Sequence, residues 1–319
     1  VRPSRLGFFV ELDEREFVDL LRRNDVRDAL CRLGAGITVG LRDLGAERAR
    51  VIREVQALGV PVGAWLLLPE PEGYFATCDN ADAVARRVEA LQAWSSHHGL
   101  AFDALGFDFE PDLAELRAFF GAPASTLAHW ARRARSLERW ARARATYQAM
   151  VDRLRCDGWT IEAYQVPVLL EDRAAGGTWL QRLVGALDVR VDREVVMAYS
   201  SLLGPFGHGL LARWAPGARA IAVGSTGGGI DPLPKLGWEA FERDLLLAAA
   251  TCDDVRIFSL EGCVARGFLS RLVDFDWQRV VRVSGLQRGA AWLAGSAARA
   301  LSWAARLESA LWSSDAARR

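Results

Sequence analysis

From residue 6 to residue 261 the hydrophobic pattern switches repeatedly between a period of two and a period near 3.6. Short apolar runs at 6–12, 36–42, 60–68, 102–110, 159–168, 194–201, 218–224 and 255–261 read as buried strands. Between them, 14–23, 47–58, 81–97, 125–157, 178–187, 210–214 and 238–252 carry helical spacing. Gly59 and Gly99 sit where helices stop, and Ser125 is placed as an N-cap. Eight βα units over about 280 residues predict a closed (β/α)8 TIM barrel, usually about 250 residues long. The alternative is a doubly wound open sheet. No Gly-x-Gly-x-x-Gly follows the first strand, which counts against it.

The barrel is expected to span 1–283 as a catalytic domain. The remaining segment, 284–319, differs in composition: Ala, Arg and Ser dominate, with Trp292, Trp303 and Trp312 among them. Leu293, Ala297, Ala300, Ala304, Leu307 and Leu311 recur at helical spacing, which predicts a C-terminal amphipathic helix. Two readings follow for it: packing on the barrel, or contact with a partner or a membrane surface. The chain is 51% hydrophobic and its 40 basic residues balance 40 acidic ones. That describes a globular protein with a sizeable core and argues against a nucleic-acid partner.

The five cysteines, Cys31, Cys78, Cys156, Cys252 and Cys263, are scattered and show neither disulfide pairing nor zinc-ligand spacing. No run of 18 apolar residues suggests a membrane span. The opening Val-Arg-Pro-Ser-Arg leads directly into a strand, which slightly favours the cytoplasm. The chain does not begin with Met, so loss of an export signal stays open.

The stretch 102–112, Phe-Asp-Ala-Leu-Gly-Phe-Asp-Phe-Glu-Pro-Asp, is the most informative one for function. Side chains alternate along a strand, so Leu105, Phe107 and Phe109 share one face and Gly106, Asp108 and Glu110 the other. The first face demands a covering layer of helices. The second brings two acids within about 7 Å of each other along the strand. Pro111 cannot donate to a ladder and should end the strand. Two like charges on a buried surface raise at least one pKa. The bland reading is that arginines on neighbouring strands neutralise both.

In a barrel, the C-terminal strand ends build the active site. Here they offer Glu11, Arg42, Trp65, Glu70, Asp108, Glu110, Tyr164, Gln165, Tyr199, Ser225 and Glu261. Carboxylates, aromatics and amides in this mixture suit a carbohydrate, since paired carboxylates cleave glycosidic bonds. The long connection 69–80 brings Tyr74 and Phe75, and Trp65 and Tyr74 are expected to stack on sugar rings. No histidine falls at a strand end, and no serine lies in a Gly-x-Ser-x-Gly elbow. The Ser225–Gly229 run after strand seven reads either as a phosphate loop or as a plain turn.

Residues 102–110 resemble the fourth-strand signature of the chitinase-like (family 18) glycoside hydrolases, Phe-Asp-Gly-x-Asp-x-Asp-x-Glu. Asp103, Asp108 and Glu110 fall on its first and third aspartates and its glutamate. Residues 196–200, Val-Met-Ala-Tyr-Ser, are similar to the family's sixth-strand Met-x-Tyr-Asp. The resemblance implies Glu110 as general acid, Asp108 orienting a substrate N-acetyl group, and Tyr199 assisting. The sequence departs from the family where Gly106 and Ser200 replace aspartates.

The expected activity is therefore that of a carbohydrate-active hydrolase on an oligo- or polysaccharide, with no cofactor or metal. Its catalytic set is Glu110, Asp108 and Tyr199. Its substrate contacts are Glu11, Trp65, Glu70, Tyr74, Tyr164, Gln165 and Glu261, with Glu11, Glu70 and Glu261 as candidates for a second carboxylate. Gly106 and Ser200 motivate one alternative, a sugar-binding barrel without turnover. The other is a metal- or phosphate-dependent sugar isomerase or aldolase, with Glu70, Asp108, Glu110 and Glu261 on a divalent cation.

Overall fold

The computed structural model describes residues 2–227 and 234–316, with Leu203, Pro205 and 307–316 described by backbone alone. Eight parallel strands follow one another around a closed barrel in chain order. They are β1 (Arg5–Val10), β2 (Gly36–Leu41), β3 (Val62–Leu66), β4 (Leu105–Phe109), β5 (Ile161–Gln165), β6 (Arg193–Met197), β7 (Ala220–Gly224) and β8 (Asp254–Phe258). Register closes the ring at β1, where Phe9 pairs with Thr38 of β2 on one side and with Phe258 of β8 on the other.

Alternation along each strand sorts the apolar residues into two cores. Phe8, Val10, Ile37, Val39, Leu105, Phe107, Phe109 and Ile161 point outward, beneath the helices. Each such side chain contributes about 1.5–3 kcal/mol when fully buried. Phe9, Trp65, Tyr164, Met197 and Phe258 point inward and fill the barrel. Phe9 meets Tyr164 edge-on at 4.9 Å and Trp65 at 5.5 Å, between ring centroids. This aromatic plug needs small residues beside it. A Cβ on Gly106 would stand 2.1 Å from Tyr164 Oη. The aspartate that the family-18 signature carries at that position therefore has no room here.

Several boundaries differ from expectation. Except for β7, which ends at Gly224 as expected, the strands end one to four residues earlier than the apolar runs do, because burial continues past the last ladder bond into the loops at the barrel mouth. The single helix expected at 125–157 is two helices, Pro123–Ala134 and Leu137–Cys156, and a further one, Leu113–Gly121, precedes them. Pro123 opens the helix Pro123–Ala134, and Ser125 lies inside its first turn, its hydroxyl on Ala122 O, instead of capping it. Asn24–Leu33, Leu260–Ala265, Phe268–Val273 and Val168–Ala175 were not anticipated either. Strand-like composition around 166–168 masked the start of Val168–Ala175; Pro167 is its N-cap.

The C-terminal helix, Gly285–Ala316, lies along the helices Val168–Ala175 and Gly207–Trp214. Its packed side is not the expected seam. Ala291, Gly295 and Ser302 are buried, and Gly295 lets the helix approach Arg213, whose Nε would be 2.0 Å from a Cβ there. Arg299 reaches the buried Glu171 at 2.6 Å, and Ser302 bonds to Asp172. Leu293, Ala297, Ala300 and Ala304 face outward, together with Trp292 and Trp303, which are 62% and 55% exposed. The side chains of Leu307, Leu311 and Trp312 fall outside the described residues. Among the described residues no helix is long and apolar enough to cross a membrane.

Candidate active site

The C-terminal ends of β1, β4, β6 and β8 bring four acids and a tyrosine together at the barrel mouth. Asp108 is the last inward residue of β4, and it is 3% exposed. Glu110 follows one pleat higher, just past the strand, and keeps part of its surface open. Burial, then Glu110, then Glu11 push the Asp108 carboxyl well above the usual range. The Trp65 indole offsets this slightly, though neither Trp65 Nε1 nor Asp108 Oδ1 has a partner that meets hydrogen-bond geometry. Glu110 is pushed up to about 7, by desolvation first and by the negative charge of Glu11 second.

Glu11 stands just past β1, where the chain leaves the barrel. Burial raises its pKa, while the hydroxyl of Tyr74 and the positive charge of Arg42 pull it down. Tyr74 donates to Glu11 Oε1 from a left-handed backbone, φ +66°, after Gly73 at φ +102°. A non-glycine residue held there costs of order 1–3 kcal/mol, and such positions gather at functional sites. Arg42 lies over the Tyr74 ring, 5.8 Å from its centroid. Glu261 completes the group. It lies in the first turn of the helix Leu260–Ala265, beyond the end of β8, and accepts the backbone N–H of Glu11 at 3.2 Å. Its Oε2 has no partner, and burial pushes its pKa up to about 7.

Tyr199, two residues past β6, leans on Phe258 at 5.7 Å. Burial and the charges of Asp108, Glu110 and Glu11 suppress its ionisation. What holds its loop was not visible in the sequence. Ser200 donates to the fully buried Asp244, whose other oxygen meets His208 Nδ1 at 2.7 Å. Asp244 lies 44 residues away on the helix Trp238–Ala249, with no local pattern to announce it.

The other expected contacts are placed differently. Trp65, expected beneath a bound sugar, is 4% exposed inside the barrel and presents no ring face at the rim. Tyr74 is likewise 4% exposed, its ring against Phe75 and its hydroxyl on Glu11. Tyr164 belongs to the plug under Asp108, bonded downward to Glu162 at 3.1 Å. Gln165 cannot join it, because adjacent strand residues face opposite ways. It is paired with the outward Phe109 and bonds to Leu187 O beneath the helices. Glu70 stands on the surface and binds Arg117 at 2.9 Å. Asp103, the first acid of the signature, lies at the opposite end of the barrel with Arg5 and Arg193.

The loop after β7 uses its hydroxyls internally: Ser225 Oγ bonds to Pro234 O and Thr226 Oγ1 to Ser259 O. Gly228 and Gly229 of the expected phosphate loop lie outside the described residues. Among the described residues no three His, Cys, Asp or Glu side chains lie close enough to hold a metal ion together. A cavity of about 300 Å³ is lined in part by Gly73, Pro111, Asp112 and Arg133, and none of the four acids lines it.

No family model matches the chain, that of the chitinase-like hydrolases included, and no curated protein matches it. Solved structures of similar fold include D-allulose 3-epimerase from Methylomonas sp., at 12% identity over 81% of this chain and 85% of that one, TM-score 0.43. They also include 3-keto-D-glucoside 4-epimerase from E. coli, at 11% over 85% and 98%, TM-score 0.46. A Rhizomucor miehei β-1,3-glucanosyltransferase, in complex with laminaritriose, is similar at 13% over 80% and 86%, TM-score 0.40. All three act on sugars by their names; likeness at this level assigns no reaction to this chain.

Proposed function

We propose that the protein is a carbohydrate-active hydrolase that cleaves a glycosidic bond with Glu110 as general acid. The observation that carries this reading is the divided state of the acids at the mouth. A carboxyl held protonated to about pH 7 and still reachable from the mouth is equipped to protonate a leaving oxygen. Hydrolysis needs a second, ionised carboxylate. Glu11 fits that role better than Glu261, since Tyr74 and Arg42 both favour its charged form. Burial and the charge of Glu11 keep Glu110 protonated, and Tyr199 faces the same group of acids.

The two departures from the family-18 pattern have structural reasons of their own. Tyr164 fills the space over Gly106, and Ser200 ties its loop to Asp244. Neither therefore speaks for a barrel that has lost catalysis. Of the four acids that the metal-dependent reading would place on a cation, Glu70 is held on the surface by Arg117.

Glu110→Gln and Glu11→Gln should each lower kcat by about 10²–10⁴ on a natural glycan, with the fold intact by circular dichroism. An aryl glycoside with a good leaving group needs no proton, so it should restore turnover to Glu110→Gln and not to Glu11→Gln. Parental rates in Glu110→Gln on the natural glycan would refute the assignment.

A further inference from the structure

Among the described residues, the six most exposed large apolar side chains all lie in 280–303: Val280, Leu286, Trp292, Leu293, Leu301 and Trp303. Five of them are on the C-terminal helix, and Val280 is on the segment that leads into it. Single exposed apolar residues are ordinary, but a concentration of them on one element marks a contact surface. The barrel does not use this side, because Ala291, Gly295 and Ser302 already fill the packed one.

Position around the helix sorts the residues by kind. At about 100° per residue, Leu286, Leu293, Ala297, Ala300 and Ala304 fall within about 60° of one another, facing away from the barrel. Trp292 and Trp303 follow on one flank. Arg288, Arg299 and Arg306 come next, between the tryptophans and the packed side. Aliphatic, then indole, then guanidinium is also the order of layers at a lipid surface. Acyl chains take the first, the interfacial belt the second and the phosphates the third.

Charge points the same way. Residues 277–306 hold five arginines and no acid, in a chain whose 40 basic and 40 acidic residues balance. Arg279 meets Glu242 at 2.8 Å and Arg299 meets Glu171 at 2.6 Å. Arg282, Arg288 and Arg306 are exposed and meet no acid among the described residues. A second copy of this chain would set the same surplus of arginine against itself, whereas an anionic surface complements it. The helix is not apolar enough to cross a bilayer, so it would lie along one.

We propose that the outer face of the C-terminal helix docks on an anionic lipid bilayer. Its leucines and alanines enter the acyl boundary, and Arg282, Arg288 and Arg306 reach the phosphates. Leu202 and Phe206, also exposed, stand in the segment Ser200–Phe206, which follows Tyr199 and packs against this helix. The docked side therefore adjoins a loop of the barrel mouth. The proposal is independent of the reaction at that mouth.

The test is co-sedimentation of the full chain with vesicles of phosphatidylcholine alone and of phosphatidylcholine with about 30% phosphatidylglycerol. Partition onto the anionic vesicles should be about ten-fold or more stronger. It should fall as NaCl rises from about 50 to about 500 mM. The double variant Leu286→Gln/Leu293→Gln should lower it about ten-fold or more. Arg282→Gln/Arg288→Gln should bring the two lipids to within about three-fold. Leu58→Gln, an exposed leucine beyond the helix Ala46–Ala57, is the control and should change nothing. Circular dichroism checks that each variant is folded, and the salt series on the unaltered chain stands whether or not they are.

No binding to the anionic vesicles, equal binding to both lipids, or binding that both double variants leave intact each overturns the proposal. So does a dimer in sedimentation equilibrium that Leu286→Gln/Leu293→Gln dissociates, since a second copy would then be the occupant of this face.

Discussion

Glu110 and Glu261 show at the level of single residues how this mouth trades stability for chemistry. Both carboxyls titrate near pH 7 in the folded chain, against an ordinary glutamate value of 4.5. A raised carboxyl means the folded state holds protons that the unfolded state has released, so stability must fall as pH rises from about 4.5 through 7. Their contribution is fully present below the unfolded value and lost above the folded one. Glu261→Gln removes one such group without removing the acceptor of the Glu11 N–H. It should leave the melting temperature unchanged at pH 4 and raise it at pH 8, by an amount worth on the order of 1 kcal/mol or more. A melting temperature lowered at pH 8 would mean that the charged Glu261 is stabilised by something other than its described neighbours.

Tyr74 is the second residue-scale case. Tyr74→Phe keeps the ring against Phe75 and removes only the donor to Glu11. The loss should raise the pKa of Glu11, so the acid limb of the pH–rate profile should move to higher pH. Affinity for the glycan should change little. A drop in affinity with an unmoved acid limb would return Tyr74 to the substrate-contact role expected from the sequence.

Among elements, the strands were the most legible and the loops the least. Period-two alternation correctly separated Phe107 and Phe109 from Asp108, because each face of β4 meets a different kind of neighbour. The same rule, applied to β5, separates Tyr164 from Gln165, and grouping them as joint contacts ignored it. Trp65 and Glu70 fail for another reason: position near a strand end says nothing about whether a side chain turns into the barrel or out toward an arginine. The C-terminal helix was legible as a helix, but its apolar seam did not reveal which side packs. Buried Ser302 and the polar Glu171–Arg299 contact select the inner face, leaving Leu293 and Trp303 outside. Leu293→Lys and Trp303→Lys should therefore change stability by no more than about 0.5 kcal/mol each. Glu171→Ala should cost several-fold more, since it strands two arginines and the Trp214 indole N–H. Chemical denaturation of the three variants compares them directly.

On the scale of the whole molecule, the two ends of the barrel answer the same electrostatic problem in opposite ways. At the N-terminal end, Arg256 is 7% exposed and holds Asp254, Glu162 and Thr38, while Tyr164 bonds to Glu162 from above. Gly7 makes space for that guanidinium; a Cβ there would be 2.8 Å from Arg256 Cδ. The charges at this end are paired, and the aromatic plug of Phe9, Trp65, Tyr164 and Phe258 separates them from the acids at the mouth. Arg256→Met keeps much of the side-chain volume and removes the charge. It leaves Asp254 with only the more distant Arg5, at 3.6 Å, and Glu162 with Arg193. Breaking a buried pair from one side typically costs about 3–5 kcal/mol, and the partial compensation by Arg5 and Arg193 places this variant at the low end of that range. Because the plug intervenes, the loss should appear in denaturant midpoint and not in the pH–rate profile of the folded fraction. If Arg256→Met instead shifts the Glu110 limb of that profile by more than about half a unit, the two ends are electrostatically coupled through Tyr164 and Asp108. The division of the barrel into a stabilising end and a reactive end would then be wrong.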